Sequence, residues 1–150
     1  MVWAAFCNTG KTSLAFCDRS MNTLYYLQII EANLLLFMSK QLQNTGIFMQ
    51  DNAPAHVSKV AMAWFKEKKI ELLKWPALSP DLNPMENLWS ILARKVYDNG
   101  NRQFESVADL QRAIIDSWDS ISTPTLAKLI ASMPKRCMDV LERQGKKIDY

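Results

Sequence analysis

The sequence predicts an α/β layered fold, and three observations support this class. Short apolar runs of strand length alternate with longer stretches of helical periodicity in the first half of the chain. Gly and Pro residues separate these stretches, and the last third of the chain carries helical patterns alone. Because 49% of the 150 residues are hydrophobic and 22% are charged, the chain can bury the core of one domain.

The predicted fold begins with two strands and a long helix. Residues 2–6 and 13–17 form the strands, and residues 8–11 form the Gly-containing turn between them. Asn22 can cap a helix that continues to about residue 41. The stripe expected to face the core consists of Tyr26, Ile30, Leu34 and Phe37.

A strand, a helix and another strand come next. Gly46 ends the long helix, and the apolar residues 47–49 predict a buried strand. A second helix is predicted over residues 57–68 and a further strand over residues 70–73, before a Pro-rich loop at residues 75–84. The packing candidates on the second helix are Val60, Met62, Trp64 and Phe65.

Helices alone follow the Pro-rich loop. Residues 84–97 carry apolar side chains at helical spacing, namely Met85, Leu88, Trp89, Leu92 and Val96. After a break at residues 99–101, Ser106 opens a capping-box pattern ahead of the apolar residues Leu110, Ile114, Ile115 and Trp118. Two short helices that begin at prolines end near residue 145, and these prolines are Pro124 and Pro134.

Composition narrows the classes of function. A net charge of +3 is compatible with nucleic acid as a partner but does not require it. Three widely spaced cysteines and a single histidine argue against a disulfide framework and a zinc site, and they fit a reducing intracellular compartment. The most apolar segment, residues 24–38, is interrupted by Gln28, Glu31 and Asn33, so we expect no membrane span.

Asp51 and Glu86 are the candidate catalytic residues. Asp51 follows the predicted strand at residues 47–49, and Glu86 falls in the first turn of the helix predicted over residues 84–97. Thirty-four positions, residues 52–85, separate them. Strand ends in open α/β sheets are common places for functional sites, and metal-dependent chemistry on phosphodiesters needs converging carboxylates. The pair is therefore compatible with a metal site.

Each candidate also has a structural explanation. Asp51 could accept a hydrogen bond from its own backbone two residues on, as in an ordinary turn. If Asn83 caps the helix and Pro84 is its first residue, Glu86 could reach back to the N–H of the cap. His56, five residues after Asp51, is more typical of the surface or the start of a helix than of a proton carrier.

Two segments carry a family resemblance. Residues 50–56 read Gln-Asp-Asn-Ala-Pro-Ala-His, and residues 75–89 contain Trp-Pro-Ala, Ser-Pro-Asp-Leu-Asn-Pro and Glu-Asn-Leu-Trp. Together with the spacing of the two carboxylates, they resemble the Tc/mariner transposases, which use an Asp, Asp, Glu triad. The similarity extends from residues 1–3 to residues 133–137. It implies a ribonuclease-H-like mixed sheet with flanking helices, over about residues 1–97, and C-terminal helices over about residues 104–145.

The resemblance also implies a site and partners. Asp51 and Glu86 would bind Mg²⁺ or Mn²⁺ for DNA cleavage and strand transfer in the nucleus. Residues beside them could support the ligands, and basic residues could contact DNA phosphates. The supporting candidates are Asn52, His56 and Asn87. The phosphate candidates are Arg94, Lys95, Lys135 and Arg136, with Arg143, Lys146 and Lys147 close to the last two. A second copy or a full-length transposase is a further expected partner.

The first Asp of the triad has no counterpart in this sequence. In the family it lies on a central strand upstream of the segment that matches Met1, and residues 2–6 and 46–50 would flank that strand. We expect these two segments either to pair directly or to accept a strand from a partner. Residues 1–150 therefore read as a truncated catalytic domain that is inactive alone. The alternatives are a non-catalytic remnant that binds DNA or a transposase, and a fragment without independent function.

Overall fold

The computed structural model describes residues 1–17, 20–43, 45–76 and 78–148. These residues pack into two units, one formed by residues 1–5 and 11–78 and the other by residues 6–10 and 79–150. The strands are β1 (Val2–Trp3), β2 (Phe6–Cys7), β3 (Gly10–Lys11), β4 (Ala15–Phe16), β5 (Ile47–Phe48) and β6 (Glu71–Leu72). The α-helices are α1 (Thr23–Ile30), α2 (Leu36–Leu42), α3 (Lys59–Glu67), α4 (Pro84–Val96), α5 (Val107–Asp119), α6 (Thr123–Ala131) and α7 (Met133–Glu142).

The predicted first hairpin is present but interrupted. β1 pairs antiparallel with β4, with Val2 opposite Phe16, and β2 pairs with β3. Between the two pairs, the N–H of Ala5 donates to Thr12 Oγ1 at 2.9 Å, and the N–H of Thr12 donates to the carbonyl of Ala5 at 2.8 Å. A side-chain oxygen thus replaces a backbone carbonyl in the ladder and separates β1 from β2. β3 lies within the predicted turn at residues 8–11, so the hairpin turn is tighter than predicted.

The long helix is confirmed, but its buried stripe differs from the prediction at one residue. Asn22 caps α1, and a π-helical turn, Glu31–Leu35, joins α1 to α2. Tyr26, Ile30 and Leu34 are buried as predicted, but the stripe continues with buried Met38, and Phe37 is only half-buried. In an α-helix, residues four apart drift by about 40° because a turn has 3.6 residues. The wider π turn cancels this drift and keeps every fourth residue on the core side.

The other helix of the first unit packs by a narrower face than predicted. Ser58 caps α3 by accepting the N–H of Ala61 at 3.1 Å. Ala61 and Phe65, four residues apart, are buried against α1, and Trp64 packs beside them. The prediction that Val60 and Met62 also pack inside is wrong, since these side chains are 55% and 45% exposed.

The pairs β1–β4 and β5–β6 of the first unit are separate two-stranded sheets. β5 and β6 pair in parallel, with Ile47 opposite Glu71 and Phe48 opposite Leu72. Within the described ranges, β1 pairs with β4 and β5 pairs with β6, and no pairing joins β1 to β5. Direct pairing of β1 with β5 was one of the two expected outcomes, and it is not formed within the described residues.

Helices dominate the second unit, as predicted. α4 packs on α5 and α6 through the buried side chains Leu88, Leu92, Val96, Trp118 and Leu126. Ser106 caps α5, accepting the N–H of Asp109 and donating to its carboxylate. Of the apolar residues named on this helix, Trp118 is buried and Ile115 is exposed. α4 packs with the C-terminal helices and the units divide after residue 78, while the boundary expected near residue 97 stays a prediction.

No helix in the described part of the chain combines the length and the apolar character that crossing a membrane requires.

Candidate active site

Asp51 lies in the turn after β5, and its two carboxylate oxygens have different roles. Oδ1 accepts the N–H of Ala53 at 3.0 Å and lies 2.6 Å from His56 Nδ1. The turn anticipated as the structural explanation is therefore present. Oδ2 has no protein partner in the described residues, and the side chain is 61% exposed. The hydrogen bonds of the turn therefore occupy Oδ1, and Oδ2 is available for a ligand.

His56 is held on several sides and lies two residues before Ser58, the cap of α3, in keeping with the expectation of a residue at the start of a helix. Its side chain is only 18% exposed, and its ring stacks on that of Tyr26 with the centroids 4.0 Å apart. Its backbone N–H donates to the carbonyl of Ala53, and its carbonyl accepts from Gln50 Nε2. Because Asp51 offers an acceptor to Nδ1, this nitrogen carries the proton that joins the two side chains.

A buried tyrosine completes this network. The Tyr26 hydroxyl donates to Gln50 Oε1, and the side chain is 1% exposed. Burial, and secondarily the Asp51 carboxylate, raise the pKa of the Tyr26 phenol far above its ordinary value. Tyr26 is therefore a protonated donor at neutral pH, and its hydroxyl orients Gln50. Sequence analysis assigned Tyr26 only to the helix stripe, and no short motif connects it to Asp51.

Asn52 connects the Asp51 turn to the Pro-rich segment. Its Nδ2 donates to the carbonyl of Trp75 at 3.0 Å. Asn52 therefore supports the conformation of the turn through the backbone, which fits a supporting candidate and not a ligand. The partner could not be foreseen, because a backbone carbonyl has no signature in the sequence.

Glu86 is presented by the first turn of α4. Asn83 caps the helix, with its Oδ1 accepting the N–H of Met85 at 3.1 Å. The capping-box explanation for Glu86 is wrong, since the N–H of Asn83 donates to the carbonyl of Pro80 at 3.0 Å. Within the described ranges the Glu86 carboxylate is exposed and makes no hydrogen bond or ion pair. The neighbouring Asn87 is half-buried and has no side-chain hydrogen bond there either.

The basic candidates differ in accessibility. Arg94 and Lys95 are exposed in the last turn of α4. Lys135 is exposed, but its ammonium lies 2.8 Å from both carboxylate oxygens of Asp139. Arg136 is 2% exposed and donates to Ser132 Oγ and to the carbonyl of Asp81. This burial removes Arg136 from the phosphate contacts. Arg143, Lys146 and Lys147 are exposed.

The predicted residues thus form two local groups. In the first unit, Asp51, Asn52 and His56 share one turn, and in the second unit Glu86 and Asn87 start one helix. The described residues contain no cluster of three or more His, Cys, Asp or Glu side chains poised for a metal. Asp51 Oδ2 and the Glu86 carboxylate are nevertheless uncommitted, exposed oxygen donors, which is the type that Mg²⁺ and Mn²⁺ prefer.

The fold defines a class of protein. The structure matches that of the Mos1 transposase catalytic domain, solved with raltegravir and Mg, with a TM-score of 0.78 and 19% identity over 99% of this chain and 83% of that chain. It also matches a Mos1 transposase paired-end complex with the left transposon end, with a TM-score of 0.81 and 21% identity over 99% of this chain and 44% of that chain. The fold is thus ribonuclease-H-like, as the sequence predicted.

Sequence comparison identifies the family. The model of the DDE superfamily endonuclease family matches residues 1–111. The Tc3 transposase of Caenorhabditis elegans is 42% identical over 150 residues, which are 100% of this chain and 45% of that protein. The Tcb2 transposase of Caenorhabditis briggsae is 33% identical over 149 residues, 97% of this chain and 52% of that protein. The chain belongs to the DDE superfamily endonucleases, as a domain of the Tc/mariner transposase type. It spans about half the length of these relatives.

Proposed function

We propose that this chain contributes two metal ligands, Asp51 and Glu86, to Mg²⁺- or Mn²⁺-dependent DNA cleavage and strand transfer in transposition. The observation that carries the proposal is the state of the two carboxylates. Asp51 Oδ2 and the whole Glu86 carboxylate lack protein partners in the described residues, although caps and turns surround both. Membership of the DDE family supports the assignment, and so do Mos1 catalytic-domain structures solved with Mg and with Mn.

The donor set fits the proposed ions. When bound, such ions stabilise the attacking and leaving oxygens of an in-line displacement at phosphorus. Asp51 offers one oxygen, since the other is held by Ala53 and His56, and Glu86 offers two. Mg²⁺ commonly takes one or two carboxylates and completes its shell with water and phosphate. The proposed role of the chain is to hold these oxygens in place while DNA phosphates provide the other ligands.

His56 and Asn52 are proposed to position Asp51 without binding the metal. The Nδ1–H of His56 donates to Asp51 Oδ1, and this leaves Oδ2 available for a ligand. The stack on Tyr26 fixes the ring that makes this bond. Asn52 fixes the backbone of the turn through Trp75. Hydrogen-bonded groups behind a ligand commonly affect metal affinity by about 10–100-fold, so these residues matter without touching the ion. Asn87 remains a candidate for the same role beside Glu86.

DNA and a further transposase chain are the proposed partners, and the nucleus is the proposed place of action. Solved paired-end complexes of Mos1 support both partners. On α4, Arg94 lies about 80° around the axis from Glu86, whereas Lys95 lies about 180° away at 100° per residue. Arg94 is therefore the better phosphate candidate for DNA that reaches Glu86. Lys135 is available only if DNA competes with Asp139.

We expect no transposition by these 150 residues alone, because two carboxylates would have to hold the ions of a three-carboxylate site. The free edges of β1 and β5 favour a second candidate function, in which this chain pairs with another transposase chain. β1 and β5 each lack a pairing partner on one side within the described ranges, and such edges accept strands. Transposition by the purified chain alone would contradict this expectation.

Metal binding tests the proposal directly. Mn²⁺ titration followed by electron paramagnetic resonance is expected to show one weak site, with the dissociation constant raised about tenfold or more in Asp51→Asn and in Glu86→Gln. Asp109→Asn is the matched control, since Asp109 is an exposed acidic residue in the first turn of α5, as Glu86 is in α4. Unchanged affinity in the double variant Asp51→Asn, Glu86→Gln would refute the ligand assignment.

A further inference from the structure

Arg136 is the most deeply buried charged side chain in the described residues, and the proposed function gives it no role. It lies on α7 and is 2% exposed. Burying a cation is costly unless hydrogen bonds compensate. Its Nε donates to Ser132 Oγ at 2.9 Å, and its Nη1 donates to the carbonyl of Asp81 at 2.9 Å. The second bond connects residues 55 positions apart, in the same unit.

Asp81 receives a second long-range bond. Its carboxylate Oδ2 accepts the backbone N–H of Ile148 at 3.0 Å, and the Ile148 side chain is 1% exposed. Asp81 is the middle residue of a 3₁₀ turn, Pro80–Leu82, which packs on α7. Two C-terminal residues therefore hold one turn of the Pro-rich segment by its carbonyl and by its side chain.

This turn leads directly into the start of α4. The carbonyl of Pro80 accepts the N–H of Asn83 at 3.0 Å, and the carbonyl of Asn83 accepts the N–H of Glu86 at 3.1 Å. Asn83 Oδ1 also accepts the N–H of Met85. Because the Glu86 carboxylate has no partner of its own in the described residues, the backbone of this turn sets its position.

We infer that Arg136 and Asp81 form a positioning clamp for Glu86, in which α7 and residue 148 fix the turn from which the carboxylate is presented. The inference rests on the proposed role of Glu86 as a metal ligand. Mg²⁺ requires near-ideal geometry, so a ligand on a loose helix start binds poorly. The clamp gives the C-terminal helix a function in the site without any contact to the metal or to DNA.

The test combines hydrogen exchange with Mn²⁺ affinity on the full chain. Arg136→Met keeps much of the side-chain volume and removes both donated bonds. We expect the amides of Asn83, Met85 and Glu86 to exchange about tenfold faster or more, as loss of a hydrogen bond to a charged group implies, with the α5 and α6 amides changed far less. The Mn²⁺ dissociation constant should rise several-fold, and Arg136→Lys should recover part of both effects.

Glu142→Met is the matched control, because it removes a charge from an exposed position on the same helix and should change neither measurement. Asp81→Ala provides a second arm at a partly exposed side chain, should Arg136→Met fail to fold. Equal loss of protection across α4, α5 and α6 would show a general structural role and overturn the inference, and so would unchanged protection at residues 83–86.

The two proposals can fail separately. If Glu86→Gln lowers Mn²⁺ affinity and neither Arg136→Met nor Asp81→Ala does, the clamp is wrong and the ligand assignment stands. If Glu86→Gln leaves affinity unchanged while the exchange pattern shifts as expected, the clamp positions a residue that does not bind metal.

Discussion

The Asp51 turn and the start of α4 present carboxylates in opposite ways. Asp51 is held through its side chain, since Oδ1 bonds to Ala53 and to His56, which in turn stacks on the buried Tyr26. Glu86 is held through its backbone alone, and no hydrogen bond or ion pair in the described residues involves its carboxylate. Side-chain hydrogen bonds orient the Asp51 carboxylate, whereas the backbone of a capped helix positions the Glu86 carboxylate.

The difference indicates where each position is vulnerable. At Asp51 the hydrogen bonds that orient the carboxylate also stabilise the turn, so a substitution changes metal binding and folding together. At Glu86 the carboxylate contributes nothing visible to folding, and its position depends on Asn83, Asp81 and Arg136.

The largest effect on stability is expected at Tyr26. Tyr26→Phe removes the hydroxyl that donates to Gln50 and leaves an acceptor without its partner in a largely buried place. The free energy of unfolding should fall by about 1–3 kcal/mol, measured by urea denaturation. Tyr97→Phe is the control, because it removes the same hydroxyl from a side chain that is 44% exposed. An unchanged free energy of unfolding would mean that the Asp51 side has no cooperative network.

The same tyrosine predicts a pH dependence. Its folded pKa is raised, whereas an unfolded tyrosine titrates near pH 10. Below about pH 10 both states are protonated and stability is unaffected. Above about pH 10 only the unfolded state loses the proton, so stability should decrease as pH rises. Tyr26→Phe should remove this component, and an identical alkaline slope in both proteins would contradict it.

Asp51→Ala and Glu86→Ala should separate folding from metal binding. Asp51→Ala leaves the N–H of Ala53 and His56 Nδ1 without their acceptor, so the free energy of unfolding should fall by about 0.5–1.5 kcal/mol, reduced by the exposure of the site. Glu86→Ala should leave stability within about 0.5 kcal/mol, as for a surface substitution. Chemical denaturation without metal checks both. Equal destabilisation would break the contrast between the two positions.

His56→Phe asks whether the hydrogen bond or the ring supports Asp51. A phenyl ring can keep the stack on Tyr26 but cannot donate to Oδ1. We expect Mn²⁺ affinity to fall several-fold while unfolding changes by no more than about 1 kcal/mol. Val57→Ala is the control, because Val57 is the next residue and is exposed. Full Mn²⁺ affinity in His56→Phe would show that Asp51 needs no orientation.

The sequence predicted most elements of the fold, and the errors have physical causes. Periodicity identified the long helix but not its π turn, which places Met38 inside in place of Phe37. Hydrophobicity placed Val60 and Met62 in the core, although only the face with Ala61 and Phe65 meets α1. Periodicity reports that a face exists, whereas its exact residues depend on the backbone and on the partner helix.

The sequence predicted which residues form the candidate site, but it did not predict their hydrogen-bond partners. The motif around Asp51 and Glu86 gave both carboxylates, and it gave His56 as a neighbour. It could not show that Asn83 binds Pro80, which removes the capping role expected of Glu86. Charge alone placed Arg136 on DNA, because nothing local in the sequence reveals a bond to Asp81 across 55 positions.

The smallest expected effect extends the contrast to DNA. Arg94 and Lys95 are adjacent and exposed on α4, but Arg94 lies nearer the Glu86 face by about 100°. A side chain that contacts one phosphate contributes about 0.9 to the slope of log Kobs against log salt. Arg94→Gln should therefore reduce this slope by about 0.9 for duplex DNA of any sequence, and Lys95→Gln should reduce it by less. Both variants remove one positive charge, so a uniform charge effect would change both slopes equally. Equal changes would place the DNA away from the Glu86 face of α4, and the helix start would then present its carboxylate to something other than the bound duplex.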